Sequence, residues 1–274
     1  MRKFWIENRD GEIWDLNSND LADNTRSLMA RPDGLGIRTR IRSFEIEHTT
    51  FIEQINTQTQ TIQGMLYFKD YAHFEKFLQF VGVINDERHI KLYYSPSGNA
   101  RHWYKRILIT ELQKSEINVR TGVLEVRARF ESLSMWRQDH RETMEVLNPH
   151  GGNSLAVEID NSGNLRTSCV IEVRGYTNTP AFRLVQGGRI IDQAQYNLTV
   201  PSGAKLIIDS APDTQRAELI AGENTTNVYY AGEKDYAYSN FIMIPEGRST
   251  LVATSRNPNI GRVTVSWSIQ REVI

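Results

Sequence analysis

The sequence predicts a mainly β protein with one helix, and the spacing of its apolar residues is the main reason. Over most of the 274 residues, apolar positions recur at every second residue, as in strands that bury one face and expose the other. In the second half, turn-forming residues recur at intervals of roughly 8–12 residues, which is the spacing of a β-sandwich. A chain of this length has room for two domains.

The clearest predicted strand covers residues 124–131. Its apolar residues are Leu124, Val126, Ala128 and Phe130, and its charged residues are Glu125, Arg127, Arg129 and Glu131. Residues 62–68 and 263–270 alternate in the same way. Near Ser43 the alternation changes phase, because the arginines before it share parity with the large apolar residues after it. We therefore predict a β-bulge at Ser43.

One segment has helical spacing instead. Its large apolar residues recur at three- and four-residue steps and are Tyr71, Phe74, Phe77, Leu78 and Val81. Asp70 precedes the segment as a predicted N-cap, and Gly82 follows it as a predicted C-cap. The sequence therefore predicts a helix of about 12 residues whose aromatic stripe packs on a sheet.

A change in composition marks the predicted domain boundary. Residues 148–154 combine proline, glycine and small polar residues, as linkers and domain edges do. We predict one domain over residues 1–147 and a second over residues 148–274. Neither half has a marked excess of one charge, so charge does not single out a nucleic-acid-binding half.

The overall composition excludes several classes of protein. With 32 basic and 33 acidic residues the formal net charge is -1, which argues against sequence-specific nucleic-acid binding. No apolar run approaches the roughly 20 residues that cross a bilayer, and the N-terminus has no signal-peptide pattern. We therefore expect folding in a cytoplasm and no membrane partner. The single cysteine, Cys169, excludes an internal disulfide and a multi-thiolate zinc site.

Catalytic motifs are mostly absent from the sequence. It contains no HExxH, no phosphate-binding P-loop and no GxSxG elbow, and Gly34-Leu35-Gly36 lies in a β context as a turn. Cys169 is predicted to be a small buried residue and not a nucleophile, since it shares parity with Ile171 and Val173. We assign no catalytic residue, no cofactor and no metal. Paired carboxylates for glycan cleavage have no fixed spacing, so that alternative stays open.

Two aromatic clusters are candidates for binding. Residues 101–106 interleave basic and aromatic side chains around Trp103, which indicates an interface, a nucleic-acid stacking site or simply an amphipathic strand. The second cluster consists of Tyr229, Tyr230, Tyr236 and Tyr238. Its rings are either sugar-stacking groups on a sandwich loop or ordinary tyrosines at the base of that loop.

Several segments, taken in their order along the chain, resemble one protein family. In the first half they are residues 62–68, the helix with Phe74 and Phe77, and residues 91–94, 124–130 and 134–136. In the second half they are residues 175–180, 206–210, 241–247 and 263–267. The ordered set is similar to the distal tail proteins of long-tailed (siphovirus-type) bacteriophages and prophages.

This resemblance implies both a fold and a role. It implies an N-terminal β-barrel-like (split-barrel) domain with one helix, assembled as a ring of typically six copies, and a C-terminal galectin-like β-sandwich outside the ring. In the family the ring joins the tail tube protein to the tail-tip hub or tail-associated lysin and often anchors receptor-binding proteins. The expected location is therefore the virion, at the tail tip or baseplate. The carbohydrate-binding module inserted in some relatives is missing here.

The charged ladder of residues 125–131 suits lateral pairing between copies, because opposite charges in register favour one geometry. A solvated face is the equally simple alternative. Our main hypothesis is a non-enzymatic ring adaptor, with Glu125, Arg127, Arg129, Glu131 and Trp103 as candidate interface residues. The alternative is a module that binds host cell-wall glycans through the four tyrosines, and a glycan-cleaving enzyme ranks last.

Overall fold

The computed structural model divides the chain into two compact units. It describes residues 2–17, 27–36, 38–46, 49–58, 61–82, 90–96, 102–120, 122–148, 151–233, 241–256 and 260–272. The first unit comprises Met1–Asp139 with Arg271–Ile274, and the second comprises His140–Gln270. The predicted mainly β fold with one α-helix is confirmed in the described residues.

The first unit consists of antiparallel strands and the helix. The strands are β1 (Lys3–Glu7), β2 (Ile13–Asp15), β3 (Ser27–Asp33), β4 (Arg38–Ile46), β5 (Thr49–Gln58), β6 (Ile62–Phe68), β7 (Lys91–Ser95), β8 (Trp103–Asn118), β9 (Val123–Ser132) and the start of β10 (Trp136–Leu147), and the helix is α1 (Tyr71–Val81). Along the sheet the order is β2-β1-β7-β8-β9-β6-β3.

This order wraps like a barrel but does not close into one. Between its two ends, residues just after β2 approach β3 through a single bridge between Asn17 and Leu28. The N–H of Met29 also donates to the carbonyl of Leu16 at 2.9 Å. One bridge is far less than a strand ladder, so the unit is the barrel-like domain that the resemblance implied, with an incomplete seam.

Alternating burial confirms the period-two prediction. Along β9 the apolar residues Leu124, Val126 and Phe130 are fully buried, whereas Arg127 and Arg129 are exposed. Inside the wrapped sheet they join a core of fully buried side chains that includes Phe4, Ile6, Leu66, Phe68, Ile107 and Trp136. Burial of each such side chain contributes about 1.5–3 kcal/mol, which drives the sheet to curl around its apolar face.

The predicted helix is confirmed with both of its caps. The carboxylate of Asp70 accepts a hydrogen bond from the N–H of His73 at 2.8 Å. At the other end the N–H of Gly82 donates to the carbonyl of Leu78 at 3.1 Å. Gly82 has a φ of 66°, which ends the helix at no steric cost to a glycine. The aromatic stripe is buried through Phe74 and Phe77.

The predicted bulge near Ser43 is also confirmed. Strands β4 and β5 pair as an antiparallel ribbon, and their register shifts between Arg42 and Ser43. Ile41 lies opposite Ile55, and Phe44 lies opposite Phe51. In the described part of the chain the ribbon has no third strand beside it.

The second unit packs two antiparallel sheets. Its strands are the rest of β10, then β11 (Ser154–Asn161), β12 (Thr167–Arg174), β13 (Thr177–Asn178), β14 (Ala181–Gln186), β15 (Arg189–Gln195), β16 (Thr199–Val200), β17 (Lys205–Asp209), β18 (Arg216–Ala221), β19 (Asn224–Asn227), β20 (Met243–Ile244), β21 (Gly247–Thr254) and β22 (Arg262–Arg271). One sheet has the order β19-β18-β17-β12-β22-β10 and the other has the order β11-β21-β14-β15.

The two sheets share one aliphatic core, as a β-sandwich requires. Val157, Phe182 and Leu251 come from one sheet, and Ile171 and Val265 come from the other; all five are buried. This is the sandwich that the turn spacing predicted. Within this unit Thr143 of β10 and Ser266 of β22 lie 3.0 Å apart through their hydroxyl oxygens.

The compact units divide the chain within β10, after Asp139. The first residues of β10 pair with β8, as Arg137 and Gln138 do with Tyr104 and Trp103. At the other end of the chain, Arg271 belongs to the first unit, where its guanidinium lies 5.2 Å from the centre of the Trp103 ring. The division into domains 1–147 and 148–274 stays a proposal.

Candidate interaction surfaces

The charged ladder of β9 occupies the face of the strand opposite the core. Arg127 and Arg129 are exposed, and Glu125 and Glu131 are half-buried. Glu131 accepts a hydrogen bond from the hydroxyl of Thr61 at 2.9 Å. No ion pair within the described residues engages the other three side chains. In the described part of the chain these three charges thus have no ion-pair partner, which suits lateral pairing.

The strands beside β9 add to this surface without adding much charge. Across β6 the residues in register with Glu125, Arg127 and Arg129 are Tyr67, Met65 and Gln63. Across β8 the register partner of Arg127 is Gln113, and that of Arg129 is Glu111. The ladder is thus a mixed-charge stripe bordered mainly by neutral side chains, a pattern that specifies one partner geometry more than it adds affinity.

Trp103 lies in a different environment from the ladder. It is only 6% exposed, and Arg271 lies over its ring. The rest of the cluster alternates, since Lys105 is buried and Tyr104 and Arg106 are half-buried. This is the burial pattern of the amphipathic strand alternative. Trp103 remains a predicted interface residue, but it offers little of its surface to a partner in this chain.

Lys105 is the most unusual residue of that strand. It is 1% exposed, and its ammonium lies 4.9 Å from the centre of the Trp136 ring. Burial disfavours the charged form and lowers the pKa of Lys105 to about 8. The ring face stabilises the cation in part, since the electrons above an aromatic ring attract positive charge.

Of the four candidate glycan-binding tyrosines, the structure describes two. Tyr229 and Tyr230 lie on a 3₁₀ turn, Tyr229–Ala231, and are 49% and 80% exposed. The ring of Tyr229 stacks on that of Phe241 at 5.8 Å between centroids. Tyr236 and Tyr238 lie outside the described residues. The packed ring of Tyr229 and the highly exposed ring of Tyr230 are compatible with stacking on a sugar. Glycan binding by the four tyrosines stays a prediction.

Cys169 is the buried residue that its parity predicted. It is 3% exposed, and its thiol donates to the carbonyl of Ile242 at 3.3 Å. Burial raises the pKa of the thiol to about 12. A thiol that stays protonated at neutral pH is a poor nucleophile.

A cleft on the outer face of the first unit was not predicted. It is lined by Trp5, Asp15, Tyr93, His102 and Asp139, among others, and has a volume of about 430 Å³. Trp5 and Tyr93 are far apart in sequence and become neighbours only because β1 pairs with β7. The only available sequence signal was the pair of adjacent aromatic residues in each of these short strands, Phe4-Trp5 in β1 and Tyr93-Tyr94 in β7.

The described residues contain no group of three or more histidine, cysteine, aspartate or glutamate side chains placed to hold a metal ion. None of their helices has both the length and the apolar character needed to cross a membrane.

Comparison with protein families identifies the first domain. Residues 3–133 match the family model described as "Distal tail protein, N-terminal domain". Residues 3–133 therefore form a distal tail protein N-terminal domain. The match begins with β1 and ends just after β9, so it contains the helix, the ribbon and the charged ladder. No curated protein matches the chain in sequence.

Solved structures extend the likeness in fold to the whole chain. A chain from the phage p2 baseplate in its activated conformation with strontium matches with a TM-score of 0.65, 12% identity and 100% coverage of both chains. The corresponding baseplate structure with calcium gives the same values, 0.65, 12% and 100%. The SPP1 Dit (gp 19.1) protein matches with a TM-score of 0.66, 11% identity and 98% coverage of both chains. At these identities the likeness concerns the fold.

Proposed function

We propose that this chain is a distal tail protein, a structural, non-enzymatic component of a phage tail tip or baseplate. The observation that carries the proposal is the family match over residues 3–133. The fold likeness over the whole chain supports it, since one similar protein is part of the phage p2 baseplate. The other is described as a paradigm of the hub adsorption apparatus in phages that infect Gram-positive bacteria.

In the finer form of the proposal, six copies form a closed ring. The ring joins the tail tube protein to the tail-tip hub or tail-associated lysin and anchors receptor-binding proteins. It assembles in the host cytoplasm and ends in the virion. Cyclic contacts are heterologous, so each copy must offer two different complementary surfaces to its neighbours.

Two features of the first unit suit these contacts. The β9 ladder offers mixed charge without a partner in the described chain, as lateral pairing needs. The β4–β5 ribbon is two strands wide, and an isolated two-stranded ribbon is marginally stable in water. A neighbouring copy that added a strand to the ribbon would stabilise it.

The low net charge is compatible with a ring through which DNA passes. A ring that gripped phosphates would slow the passage of DNA, because each neutralised phosphate releases counterions and strengthens binding. The chain as a whole has a formal net charge of -1. We accordingly propose no sequence-specific nucleic-acid binding and no membrane partner.

The ring proposal is tested by assembly of the purified full chain. We expect native mass spectrometry and light scattering to detect six-fold species, alone or after mixing with the tail tube or hub protein. Reversing two charges with Arg127→Glu and Arg129→Glu should abolish those species while the protein stays folded. Arg141→Glu, at an exposed position on β10, is the matched control and should assemble normally. A chain that stays monomeric with both partners contradicts the proposal.

A second candidate function, glycan binding by the β-sandwich, rests on the 80% exposure of Tyr230. Tyr230→Ala and Tyr238→Ala should abolish binding to a bacterial wall polysaccharide on a glycan array. Tyr176→Ala, which removes a tyrosine that is 47% exposed elsewhere in the same unit, should not. A wild-type chain that binds no wall polysaccharide rejects this candidate. Release of products from purified cell wall would instead indicate a glycan-cleaving enzyme and contradict the non-enzymatic proposal.

A further inference from the structure

The cleft near Trp5 has the size and lining of a pocket for a single side chain. It lies over β1, β2 and β7 and has a volume of about 430 Å³, within the range of pockets that enclose small groups. All the residues that line it belong to the first unit. The lining of the cleft is therefore complete within a single copy of the first unit.

One wall of the cleft is an aromatic pair. Trp5 and Tyr93 are cross-strand partners, and their rings lie 5.0 Å apart with an angle of 10° between planes. His102 meets Trp5 edge-on at 4.8 Å. Strand β1 lies between β7 and β2. Tyr93 of β7 covers one face of the Trp5 ring, so the other face of this ring looks toward β2. These two contacts hold the Trp5 ring in one orientation. Stacking of a ligand on this ring therefore costs little side-chain entropy of Trp5.

Carboxylates surround this aromatic wall. Asp15 is the cross-strand partner of Trp5 on β2, and Asp139 lies at the far side near His102; both are exposed. Asp15 already accepts a hydrogen bond from the N–H of Asn17 at 2.7 Å, which fixes the carboxylate beside the cleft. An ionised carboxylate has lone pairs for further donors.

The remaining charged groups leave the cleft negative. Glu7 accepts hydrogen bonds from Lys91 at 2.5 Å and from Tyr93 at 2.7 Å. Burial works against the ionisation of Glu7, but these bonds outweigh it and hold its pKa below the usual value. With Glu7 neutralised by Lys91, the carboxylates of Asp15 and Asp139 outnumber the one remaining lysine of the lining, Lys3.

We propose that this cleft receives an arginine side chain presented by a partner protein. The flat guanidinium stacks on the face of Trp5 that looks toward β2 and donates hydrogen bonds to Asp15, while Asp139 adds negative charge at the far side of the cleft. Arginine fits better than lysine, because a planar, weakly hydrated cation both stacks on a ring and pairs with carboxylates. A neutral sugar would also stack on Trp5, but it would gain nothing from the excess of negative charge.

The test uses the full-length chain and two blocked tripeptides, Gly-Arg-Gly and Gly-citrulline-Gly. Citrulline has nearly the shape of arginine without the charge. We expect saturable binding of the arginine peptide with a Kd in the millimolar range, followed through the Trp5 indole signal in NMR spectra. The citrulline peptide should bind at least about fivefold more weakly, as expected for the loss of about 1 kcal/mol of charge interaction near the surface.

Conservative variants locate the bound side chain. Asp15→Asn should weaken binding about threefold to fivefold, consistent with an exposed charge pair, and Asp139→Asn should weaken it by about twofold or less, because its charge acts from the far side of the cleft. Trp5→Leu should remove the binding, and Trp5→Tyr should retain most of it, because a flat ring persists. Asp160→Asn changes an exposed carboxylate of the second unit and should leave the affinity unchanged. Near-ultraviolet circular dichroism verifies that each variant is folded.

Several outcomes would overturn the inference. They are no saturable binding of the arginine peptide, equal binding of both peptides, and full affinity when both aspartates are replaced in a folded protein. Perturbation of the Trp5 signal by N-acetylglucosamine, without an effect of the arginine peptide, would show a sugar site instead. None of these results bears on ring assembly, so failure here is distinguishable from failure of the proposed function.

Discussion

The two units of the chain bury charged side chains in opposite ways. In the first, Lys105 is 1% exposed, and the contact found for its ammonium among the described residues is the face of Trp136. In the second, Asp192 is also 1% exposed, but Arg166 donates to its carboxylate at 2.6 Å and the N–H of Met243 donates at 3.1 Å. Hydrogen bonds thus stabilise the buried charge of Asp192, whereas the face of the Trp136 ring stabilises the buried charge of Lys105.

This contrast shows how the sign of a buried charge determines what must surround it. A carboxylate accepts hydrogen bonds from backbone N–H groups that a β-sheet already supplies, and one arginine completes the set. An ammonium needs acceptors, which an aromatic core does not provide, so its charge is destabilised and its pKa falls. The sandwich should therefore depend on Asp192 at neutral pH, whereas the barrel-like unit should gain stability when Lys105 loses its proton.

The largest expected effect comes from removing the compensated carboxylate. Asp192→Ala should lower the free energy of unfolding of the second unit by about 3–4 kcal/mol, because Arg166 and the N–H groups of Met243 and Gln193 lose their acceptor. Asp192→Asn keeps one acceptor oxygen and should cost less. Urea unfolding followed through Trp267, the tryptophan buried in this unit, measures the change. An Asp192→Ala loss below about 1 kcal/mol would mean that the compensation is weak.

The next effect concerns pH and Lys105. Its pKa of about 8 in the folded chain lies below the ordinary lysine value of 10.5, so the unfolded chain binds more protons between these values. Stability should consequently rise with pH across this window, by about 3 kcal/mol in total. The full penalty applies below pH 8.

The matched variant is Lys105→Met, which keeps the length of the side chain and removes its charge. It should be as stable as the wild type or more stable at pH 7, and the difference between the two should shrink as the pH rises above 8. Chemical unfolding at several pH values provides the comparison. A constant difference from pH 7 to pH 10 would show that Lys105 keeps an ordinary pKa.

The smallest of these effects has the opposite sign and comes from Cys169 in the second unit. Burial raises its pKa to about 12 from 9.0, so the folded chain keeps a proton that the unfolded chain releases. Stability should fall as pH rises above 9, by about 2 kcal/mol at pH 10.5. Burial raises the pKa of Tyr93 and Tyr196 as well, with the same sign above pH 10.

The Cys169→Ala variant isolates the thiol, since both tyrosines remain. Its stability relative to the wild type should improve between pH 9 and pH 10.5. The same unfolding measurements, made with a reducing agent present, give this difference. A difference that does not change over this range would place the pKa of the folded thiol near its ordinary value.

Local patterns in the sequence predicted much of the fold. The alternation of Leu124 to Phe130, the caps Asp70 and Gly82, and the phase change at Ser43 each depend on residues close together in the chain. Such features follow from the fixed periods of strands and helices and from backbone sterics. For this reason the strand, the helix and the bulge were all correctly predicted.

Features that depend on distant pairings were not predictable in the same way. Alternation places Trp103 on one side of β8, but it does not reveal that Arg271, from the far end of the chain, lies over the ring. Equally, Trp5 becomes part of a cleft only because β1 pairs with β7. A period of two shows which side chains share a face, and the tertiary fold decides whether that face is covered.

The most direct test of the central claim is electron microscopy of the purified chain, alone and mixed with its tail tube and hub proteins. The proposed function predicts closed rings with a central hole and six-fold symmetry, and their loss in the Arg127→Glu, Arg129→Glu variant. Isolated, folded monomers under all of these conditions would contradict it.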